Sequence, residues 1–468
     1  MYVQQFFVEG LAHISYLVGG NQYCAIIDPK RDMGDYVKTA KKMGIKITHI
    51  IETHLHADFV SGHLDLQELT GAKIYAPKAG NCRFDHVAVA EGDSFEIEDM
   101  SFKVLETGGH TPEHVSYVVT DQSRGDEPVA AFTGDTLFVG DVGRPDLFPG
   151  QAEELSSRLY DNLHQKLLQL PDFCEVYPAH GAGSLCGRAM GAKRTSTIGY
   201  ERLYNSALQH KTKEAFQKSL LTGMPEAPDY FSRCSAINGK GPALVKDLPV
   251  VNPLTPEKLW KLKKNGHLVI DLRDYTAFGG AHVPGSFHLD LAGNFSTFAA
   301  WILPPDTPLL LVGNTEEELC RAIVQLRRVG LDQVVGYLEG GIHAWAINGL
   351  PMDYLPQMSI QELKKKLERS EDLVVLDVRA QGEWDEAHIE GAVHIPAPDC
   401  RTRYQEVETK KPVAVLCNTA HRSSLAASIL KQHGFSNLSV VTGGMTAWQA
   451  AGYSEKCPTC EAPHGPRW

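Results

Sequence analysis

Residues 53–63 read T-H-L-H-A-D-F-V-S-G-H and follow an apolar, β-branched run over residues 45–51. The run predicts a buried strand, so the polar side chains lie where a strand ends, which is where open α/β folds place their chemistry. In an extended segment, His54, His56 and Asp58 point to one side and converge. Two imidazoles and a carboxylate on one turn therefore predict a metal site.

The composition is that of an ordinary soluble globular protein, and the length predicts about three domains. The chain has 468 residues, of which 43% are hydrophobic and 22% charged. A net charge of −12 without a long basic run argues against a nucleic-acid partner. No signal-peptide pattern opens the chain and no segment approaches about 18 consecutive apolar residues, so we expect no membrane partner and a cytoplasmic location. Ten cysteines over this length do not indicate a disulfide scaffold.

The first part of the chain, residues 1–245, alternates strand-like and helical patterns and is predicted to be a layered α/β domain. The predicted strands cover residues 14–18, 23–27, 74–76, 102–105, 115–119 and 129–132. The predicted helices include residues 35–43 and 153–170. Loops after strands carry three further candidate ligands, His110, Asp135 and His180. Glycines beside each of them allow the backbone to approach a shared centre.

The ordered series of six polar residues resembles the metallo-β-lactamase superfamily, whose fold is an αββα sandwich with a metal site at one edge. The resemblance covers about half of the chain. The first motif of that superfamily normally reads H-x-H-x-D-H, and here the last position is Phe59, which cannot bind a metal. The second metal position keeps Asp58 and His180 but lacks one imidazole. A two-metal hydrolase is therefore less favoured.

Within the superfamily, this part of the chain resembles the persulfide dioxygenase branch. The resemblance implies one Fe(II) per chain with three ligands, His54, His110 and Asp135. It leaves three residues to support those ligands or to form the remnant of a second metal position, His56, Asp58 and His180. Two histidines and one carboxylate leave positions on Fe(II) open for substrate and oxygen.

The same resemblance assigns Arg144 to substrate binding, in contact with the anionic thiol carrier. A guanidinium suits carboxylate or phosphate recognition, and a surface ion pair is the alternative. Gly181-Ala-Gly-Ser follow His180, where glutathione-specific members have polar and aromatic residues, so the carrier stays open between glutathione, coenzyme A and another thiol. Cys186 either lines the pocket or is simply buried.

The second part of the chain contains an internal repeat. Residues 271–288, D-L-R followed by A-H-V-P-G-S-F-H, recur as residues 377–394, and E-G-G-I-H-A-W at 339–345 recurs at 442–448. An offset of about 105 residues predicts duplicated domains, which we bound at 254–350 and 358–455. Thr255 and Ser359 stand where helix-start signals occur. Each copy resembles a rhodanese domain, a small parallel α/β fold.

The two copies differ at one loop. In the second copy, a predicted strand at 413–416 ends at Cys417, and C-N-T-A-H-R leads to Arg422 at the start of a helix. A thiol at a helix N-terminus beside an arginine is activated as a nucleophile, and C-x-x-x-x-R matches the rhodanese loop. In the first copy, Gly313 replaces the cysteine and residues 316–318 are all glutamates, which repel an anionic sulfur donor. We therefore expect the first copy to be inactive and to serve as a spacer, docking surface or assembly interface.

The tail, residues 456–468, contains Cys457 and Cys460 in a single C-x-x-C. One such pair is weak evidence for zinc, so we favour a flexible redox-active or incidental dithiol.

The combination implies chemistry on sulfane sulfur. The resemblance implies that the first part oxidises a low-molecular-weight thiol persulfide with O2 to sulfite, and that Cys417 passes a sulfane sulfur to sulfite to give thiosulfate. Two alternatives stay open: a zinc metallohydrolase that resembles glyoxalase II, and a sulfur-relay protein in which Cys417 is the only reactive group. Relatives with this layout self-associate, so we expect a homo-oligomer, a dimer or a tetramer.

Overall fold

The structure is a computed structural model that describes residues 1–188, 190–224, 226–291 and 293–453. Cys457 and Cys460 lie outside the described residues. The chain divides into two compact units, Met1–Leu248 with Leu326–Gly330, and the remaining residues from Pro249 onward. Among the described residues, no helix combines the length and the hydrophobicity that crossing a bilayer requires.

The first unit contains two six-stranded sheets. The first has the order β1-β2-β3-β4-β5-β6, and its strands are Tyr2–Val8, His13–Gly19, Tyr23–Ile27, Lys46–Ile51, Lys73–Pro77 and Val87–Val89. The second has the order β12-β11-β10-β9-β8-β7, and its strands, from β7 to β12, are Ser94–Ile97, Met100–Glu106, Val115–Asp121, Pro128–Gly134, Glu175–Pro178 and Ser196–Thr197. The helices of this unit, α1 to α6, are Gly34–Met43, His63–Thr70, Ala152–Gln165, Ile198–Tyr204, Lys213–Leu221 and Phe231–Lys240.

The layers of the first unit follow from which faces of its sheets are apolar. One core lies between the two sheets and combines Ile14, Tyr16 and Val18 with Phe102 and Tyr117. A second core lies between the first sheet and α1 and α2, and a third between the second sheet and α3. Helices therefore cover both outer faces of a pair of sheets, and the predicted αββα sandwich is confirmed.

The strands predicted for the first unit are confirmed, with each end within about two residues of its predicted position. The predicted helix at 153–170 ends earlier, at Gln165, because Lys166 leaves the helical region with φ −122° and ψ −71°. Strand β1 carries mixed apolar and polar residues and was not predicted, and it pairs antiparallel with β2 along its whole length. Pairing across a sheet is a long-range contact that a local pattern does not encode.

The second unit consists of two copies of one parallel fold. The first module has the strand order β13-β17-β16-β14-β15, with strands β13 to β17 at Asn252–Leu254, Leu268–Asp271, Phe287–His288, Leu309–Val312 and Val334–Leu338. Its helices, α7 to α11, are Pro256–Lys264, Tyr275–Gly280, Phe295–Ile302, Glu316–Arg328 and Gly341–Ile347. The second module has the order β18-β22-β21-β19-β20, with strands β18 to β22 at Gln357–Ser359, Val374–Asp377, Val393–His394, Val413–Leu416 and Leu438–Thr442. Its helices, α12 to α16, are Ile360–Glu368, Gln381–Glu386, Cys400–Arg403, His421–Gln432 and Gly444–Ala450.

The repeated D-x-R motif has a structural role in both modules. Arg273 donates from Nε and Nη2 to Asp271 at 2.9 and 2.7 Å, and Arg379 donates in the same way to Asp377 at 2.9 and 2.6 Å. Each arginine also donates to the backbone carbonyl eight residues further on, at 2.7 Å in both modules. The motif thus fastens the end of a central strand to the loop after the next helix, and both carboxylates are fully buried.

Candidate metal centre and sulfur-transfer loop

Three side chains of the first unit direct single donor atoms towards one another. His54 follows β4, His110 lies in the loop between β8 and β9, and Asp135 follows β10. Oδ2 of Asp135 lies 3.7 Å from Nε2 of His54 and 3.4 Å from Nε2 of His110. All three side chains are at most 1% exposed, and none of these three atoms has a hydrogen-bond partner. Buried polar atoms without partners are costly, so the arrangement fits a bound cation that these residues would hold.

The outer nitrogens of both imidazoles are held by oxygens. Nδ1 of His54 lies 2.9 Å from Oγ1 of Thr53, which in turn donates to Asp28 at 2.9 Å. Nδ1 of His110 lies 2.8 Å from the backbone oxygen of Arg144. Such contacts select the ring orientation that leaves Nε2 for a metal.

Asp135 is oriented by two further histidines that touch it from different sides. Oδ1 lies 2.7 Å from Nδ1 of His180, and the backbone N–H donates to Nε2 of His114 at 2.9 Å. Burial, together with the charge of His110, lowers the pKa of His114 to about 3, which suits a ring that accepts this bond. Burial alone would raise the pKa of Asp135, but the charge and hydrogen bond of His180 outweigh it and hold the pKa well below its usual range.

The prediction that His54, His56 and Asp58 converge on one centre is wrong. Nε2 of His56 points away, 3.1 Å from Oδ1 of Asp28 and 3.8 Å from Oε2 of Glu52. The three residues belong to three different potential metal-binding groups. Strand β4 ends at Ile51, and the chain then bends, so a spacing of two no longer places side chains on one side.

Asp58 and His180, the two residues that the resemblance assigns to the remnant of a second metal position, lie together next to Asp135. Nε2 of His180 is 2.8 Å from Oδ2 of Asp58, so each ring nitrogen of His180 faces a carboxylate. Buried Cys186 offers a third donor atom within 4.8 Å of these two. Burial, then the charges of Asp58 and Asp135, raises the pKa of its thiol well above the usual value. His180 thus orients Asp135, and Asp58 in turn holds the other nitrogen of His180.

Phe59 fills the position of the missing imidazole. Its ring centroid lies 4.0 Å from that of His13 and 4.4 Å from that of His56. His13, at the start of β2, was not singled out in the sequence; it is fully buried, and both of its ring nitrogens lack a hydrogen-bond partner. A single histidine on a strand has no partner at a characteristic sequence spacing, so the sequence did not point to it. An isolated β-bridge between His13 and His180 brings it to the site.

Arg144 lies beside the site with its guanidinium already engaged. Nε and Nη2 donate to Asp146 at 2.7 and 2.8 Å, and Nη1 donates to the backbone oxygen of Leu185 at 3.1 Å. The side chain is 1% exposed. Contact with a thiol carrier would require the guanidinium to give up some of these hydrogen bonds. The role of Arg144 in substrate binding therefore stays a prediction.

His63, which the helical pattern after the first motif predicts to be a surface histidine of a helix, is buried instead. It begins α2 and is 1% exposed, with Nδ1 3.2 Å from Oε1 of Glu52. The N-terminus of α2 faces the interior, and a helix start defines no exposed face from sequence alone.

The Cys417 loop of the second module, the candidate sulfur-transfer loop, lies between β21 and α15. Sγ of Cys417 accepts from the backbone N–H of Ala420 at 3.2 Å and lies 3.4 Å from Oγ of Ser423. Ala420 adopts φ 97°, a strained value for a non-glycine residue that curls the loop around the sulfur. Arg422 donates to both oxygens of Glu383 at 2.5 and 2.7 Å, which ties the loop to α13.

The equivalent loop of the first module holds a carboxylate of its own. Oε2 of Glu318 accepts from the backbone N–H groups of Asn314 at 2.8 Å and Thr315 at 3.3 Å. These N–H groups are the ones that would bind an anion. The loop therefore has neither a thiol nor a vacant set of donors.

Comparisons with known proteins agree with this division of the chain. The family model of the metallo-beta-lactamase superfamily matches residues 9–180, and that of the rhodanese-like domain matches residues 255–348 and 359–451. Persulfide dioxygenase ETHE1, mitochondrial, of Mus musculus is 30% identical over 216 residues, which are 45% of this chain and 78% of that protein. A hydroxyacylglutathione hydrolase of Rhodopseudomonas palustris is 32% identical over 41% of this chain and 68% of its own length.

Among solved structures, a metallo-beta-lactamase from Staphylococcus aureus superposes with a TM-score of 0.66 and 32% identity. The match covers 72% of this chain and 98% of that chain, so it extends beyond the first unit. The chain therefore belongs to the metallo-beta-lactamase superfamily, and persulfide dioxygenases are among its homologues. In this chain the metallo-beta-lactamase domain is followed by two rhodanese-like domains.

Proposed function

We propose that the first unit is a non-haem Fe(II) persulfide dioxygenase, which oxidises a low-molecular-weight thiol persulfide with O2 to sulfite and thiol. The observation that carries the proposal is the set of three buried donor atoms without partners on His54, His110 and Asp135. Similarity to a persulfide dioxygenase supports the proposed reaction. The reaction balances as one persulfide, one O2 and one water giving one thiol and one sulfurous acid, which ionises to sulfite.

When bound, Fe(II) held by two histidines and one carboxylate supplies the redox chemistry between persulfide sulfur and dioxygen. The residues of this chain prepare the site for one ion. His180 and His114 orient Asp135 so that Oδ2 faces the two imidazoles. Phe59 places a hydrocarbon ring against His13 where the resemblance expects a ligand, and a hydrocarbon ring cannot bind a metal.

For the second module, we propose that Cys417 is a sulfurtransferase nucleophile. Cys417 carries a sulfane sulfur as a persulfide, and sulfite attacks the outer sulfur. The S–S bond breaks, its electron pair stays on Cys417 as a thiolate, and thiosulfate leaves. The product of the first site is then a substrate of the second. The proposed carrier is glutathione, coenzyme A or another low-molecular-weight thiol, and we propose a cytoplasmic homo-oligomer.

Oxygen uptake and metal content test the dioxygenase. Protein loaded with Fe(II) under nitrogen is supplied with glutathione persulfide and, in parallel, coenzyme A persulfide. We expect one iron per chain and oxygen uptake that Asp135→Ala abolishes together with iron binding, while Cys417→Ser retains both. Uptake unchanged by Asp135→Ala would reject the ligand set.

The second candidate function is a two-metal thioesterase like hydroxyacylglutathione hydrolase. It is favoured by similarity to those hydrolases and by the second potential metal-binding group of Asp58, His180 and Cys186. Asp58→Asn separates the two functions. A two-metal hydrolase would lose its second metal and its thioesterase activity, whereas a one-iron dioxygenase keeps its iron. Two equivalents of zinc in the purified wild-type protein would favour the hydrolase.

A further inference from the structure

Helix α15, which presents the Cys417 loop, is buried between its own sheet and the first module. Every residue from Ser423 to Leu430 is buried. The backbone N–H of His288 in β15 donates to Oγ of Ser428 at 3.0 Å. Near the other end of the helix, Nζ of Lys431 lies 2.6 Å from Asp353, in the connection between the modules. The module whose own loop lacks a cysteine thus packs against the helix that carries the Cys417 loop.

At the N-terminus of α15, two residues of the first module reach the loop itself. The carboxylate of Asp290 forms a hydrogen bond with Nδ1 of His421, and the ring of Tyr275 packs edge-to-face on the same imidazole with centroids 5.4 Å apart. Burial, followed by the charges of Asp274 and of Cys417, raises the pKa of Tyr275. Tyr275 therefore lies within electrostatic reach of the reactive sulfur.

His421 is the more exposed of the two basic residues at the start of α15. Arg422 is paired with Glu383 inside its own module, whereas the side chain of His421 is 42% exposed and that of Asp290 only 10%. The hydrogen bond that His421 donates to Asp290 raises the pKa of the imidazole against the effect of burial, and the charges of Asp290 and Asp274 act in the same direction. His288 is the other titratable group of the first module that interacts with this imidazole. A protonated ring beside Cys417 attracts anions.

We propose that Asp290 is a positioning residue for sulfur transfer, because it holds the imidazole of His421 as an exposed cation beside Cys417, where it receives an anionic sulfur acceptor such as sulfite. The inference rests on the transferase function proposed above for Cys417. In the transfer step, sulfite takes the outer sulfur and Cys417 becomes a thiolate. An anion, sulfite, therefore enters beside His421, and another anion, thiosulfate, leaves beside it. A neutral acceptor gains nothing from that charge. The first module then supplies part of the transfer site although its own loop has no cysteine.

The experiment compares a charged and a neutral acceptor on the full chain. Cys417 is loaded with sulfane sulfur from thiosulfate under nitrogen, and excess reagent is removed. The persulfide is then discharged by sulfite or by the neutral phosphine tris(hydroxypropyl)phosphine, and the persulfide that remains is measured by alkylation and intact mass. We expect Asp290→Asn and His421→Gln to slow discharge by sulfite about fivefold, as for the loss of one partly exposed ionic contact, and to leave the phosphine rate unchanged. We expect Asp290→Glu to restore most of the sulfite rate.

Asp353→Asn is the matched control, because it removes the cross-module ion pair at the far end of the same helix. We expect it to change neither rate. Equal slowing of both acceptors in Asp290→Asn and His421→Gln would show a merely structural role and overturn the inference, as would an unchanged sulfite rate in both variants. Failure of wild-type Cys417 to take up sulfur from any donor would instead overturn the transferase function, and this inference with it.

Discussion

In the first module the loop after β16 begins with Gly313, and in the second the loop after β21 begins with Cys417. Both continue with Asn-Thr, and three residues later the first has Glu318 where the second has Arg422. The carboxylate of Glu318 accepts hydrogen bonds from two N–H groups of its own loop, whereas Arg422 donates hydrogen bonds to Glu383, outside its loop. The buried D-x-R ion pair is the same in both. The difference teaches that the repeat motif maintains the fold, while a few loop positions decide whether the module carries a nucleophile.

The largest effect is expected when the sulfur of Cys417, the predicted nucleophile that distinguishes the second module from the first, is removed. Cys417→Ser should lower thiosulfate:cyanide sulfur transfer at least about a thousandfold, because the nucleophile itself is removed. Cys320→Ser, which alters an exposed thiol in the first module, is the control and should have no effect. Transfer that persists in Cys417→Ser would mean that another thiol does this chemistry.

The reverse change asks whether a thiol alone makes the first loop reactive. With Cys417→Ser as background, Gly313→Cys should transfer no sulfur, because Glu318 already occupies the loop N–H groups and repels a thiolate. A Cβ at Gly313 would lie 3.3 Å from Leu319, so the side chain needs only a small adjustment to fit.

Adding Glu318→Gln to these two changes should speed alkylation of the new thiol by iodoacetamide about tenfold, since one adjacent negative charge is lost. Transfer by Gly313→Cys without this third change would contradict the view that the carboxylate blocks the loop.

A smaller effect is expected at Glu383, a carboxylate that holds the Cys417 loop and has no counterpart in the first module. Glu383 binds Arg422 and Asn418, and the first module has Ala277 at the matching position. Glu383→Gln should lower sulfur transfer about tenfold and the free energy of unfolding of the module by about 1 kcal/mol, through weakened charged hydrogen bonds. Asp385→Asn, on the same helix, is the control.

The same variant has a defined pH dependence. Burial alone would raise the pKa of Glu383, but the hydrogen bond and charge of Arg422 outweigh it and lower the pKa. The stabilisation is therefore fully present above the unfolded-state pKa, about 4.3, and is lost as the pH falls through the lower folded-state value. Urea unfolding from pH 7 to pH 3 should show the difference between wild type and Glu383→Gln shrinking below about pH 4. A difference that grows on acidification would contradict this assignment.

The smallest effect compares the two helix starts. Thr255 accepts from the N–H of Lys258 at 3.4 Å, and Ser359 accepts from the N–H of Glu362 at 3.1 Å. Ser359→Ala should lower the free energy of unfolding by about 1 kcal/mol, and Thr255→Ala by about half as much. The smaller loss is expected because the hydrogen bond of Thr255 is longer and because Pro256 already favours the helical backbone conformation at the first position. Urea unfolding of both variants tests the order; a larger loss in Thr255→Ala would reverse it.

The candidate sites were accessible from sequence to different degrees. Cys417 was visible because the strand, the loop and the helix that present it are contiguous. His54, His110 and Asp135 came from an ordered motif through family resemblance, and the structure brings them together across three loops. His13 had no signal, since its role depends on a bridge to His180, which is 167 residues away by number. Alternation along a strand misled for His56, because the chain bends after β4.

By itself the sequence determined the order of an α/β sandwich and two parallel modules and the duplication, and it singled out Cys417 as the predicted nucleophile. Hydrophobic periodicity, repeat spacing and loop motifs are local properties, and they can be read along the chain. Only the tertiary structure decided that His56 turns to Asp28, that the guanidinium of Arg144 is already paired, and that Asp290 reaches His421 across 131 residues. Each of these depends on packing between segments that are distant in sequence, and side-chain direction there is set by the partners that burial makes available.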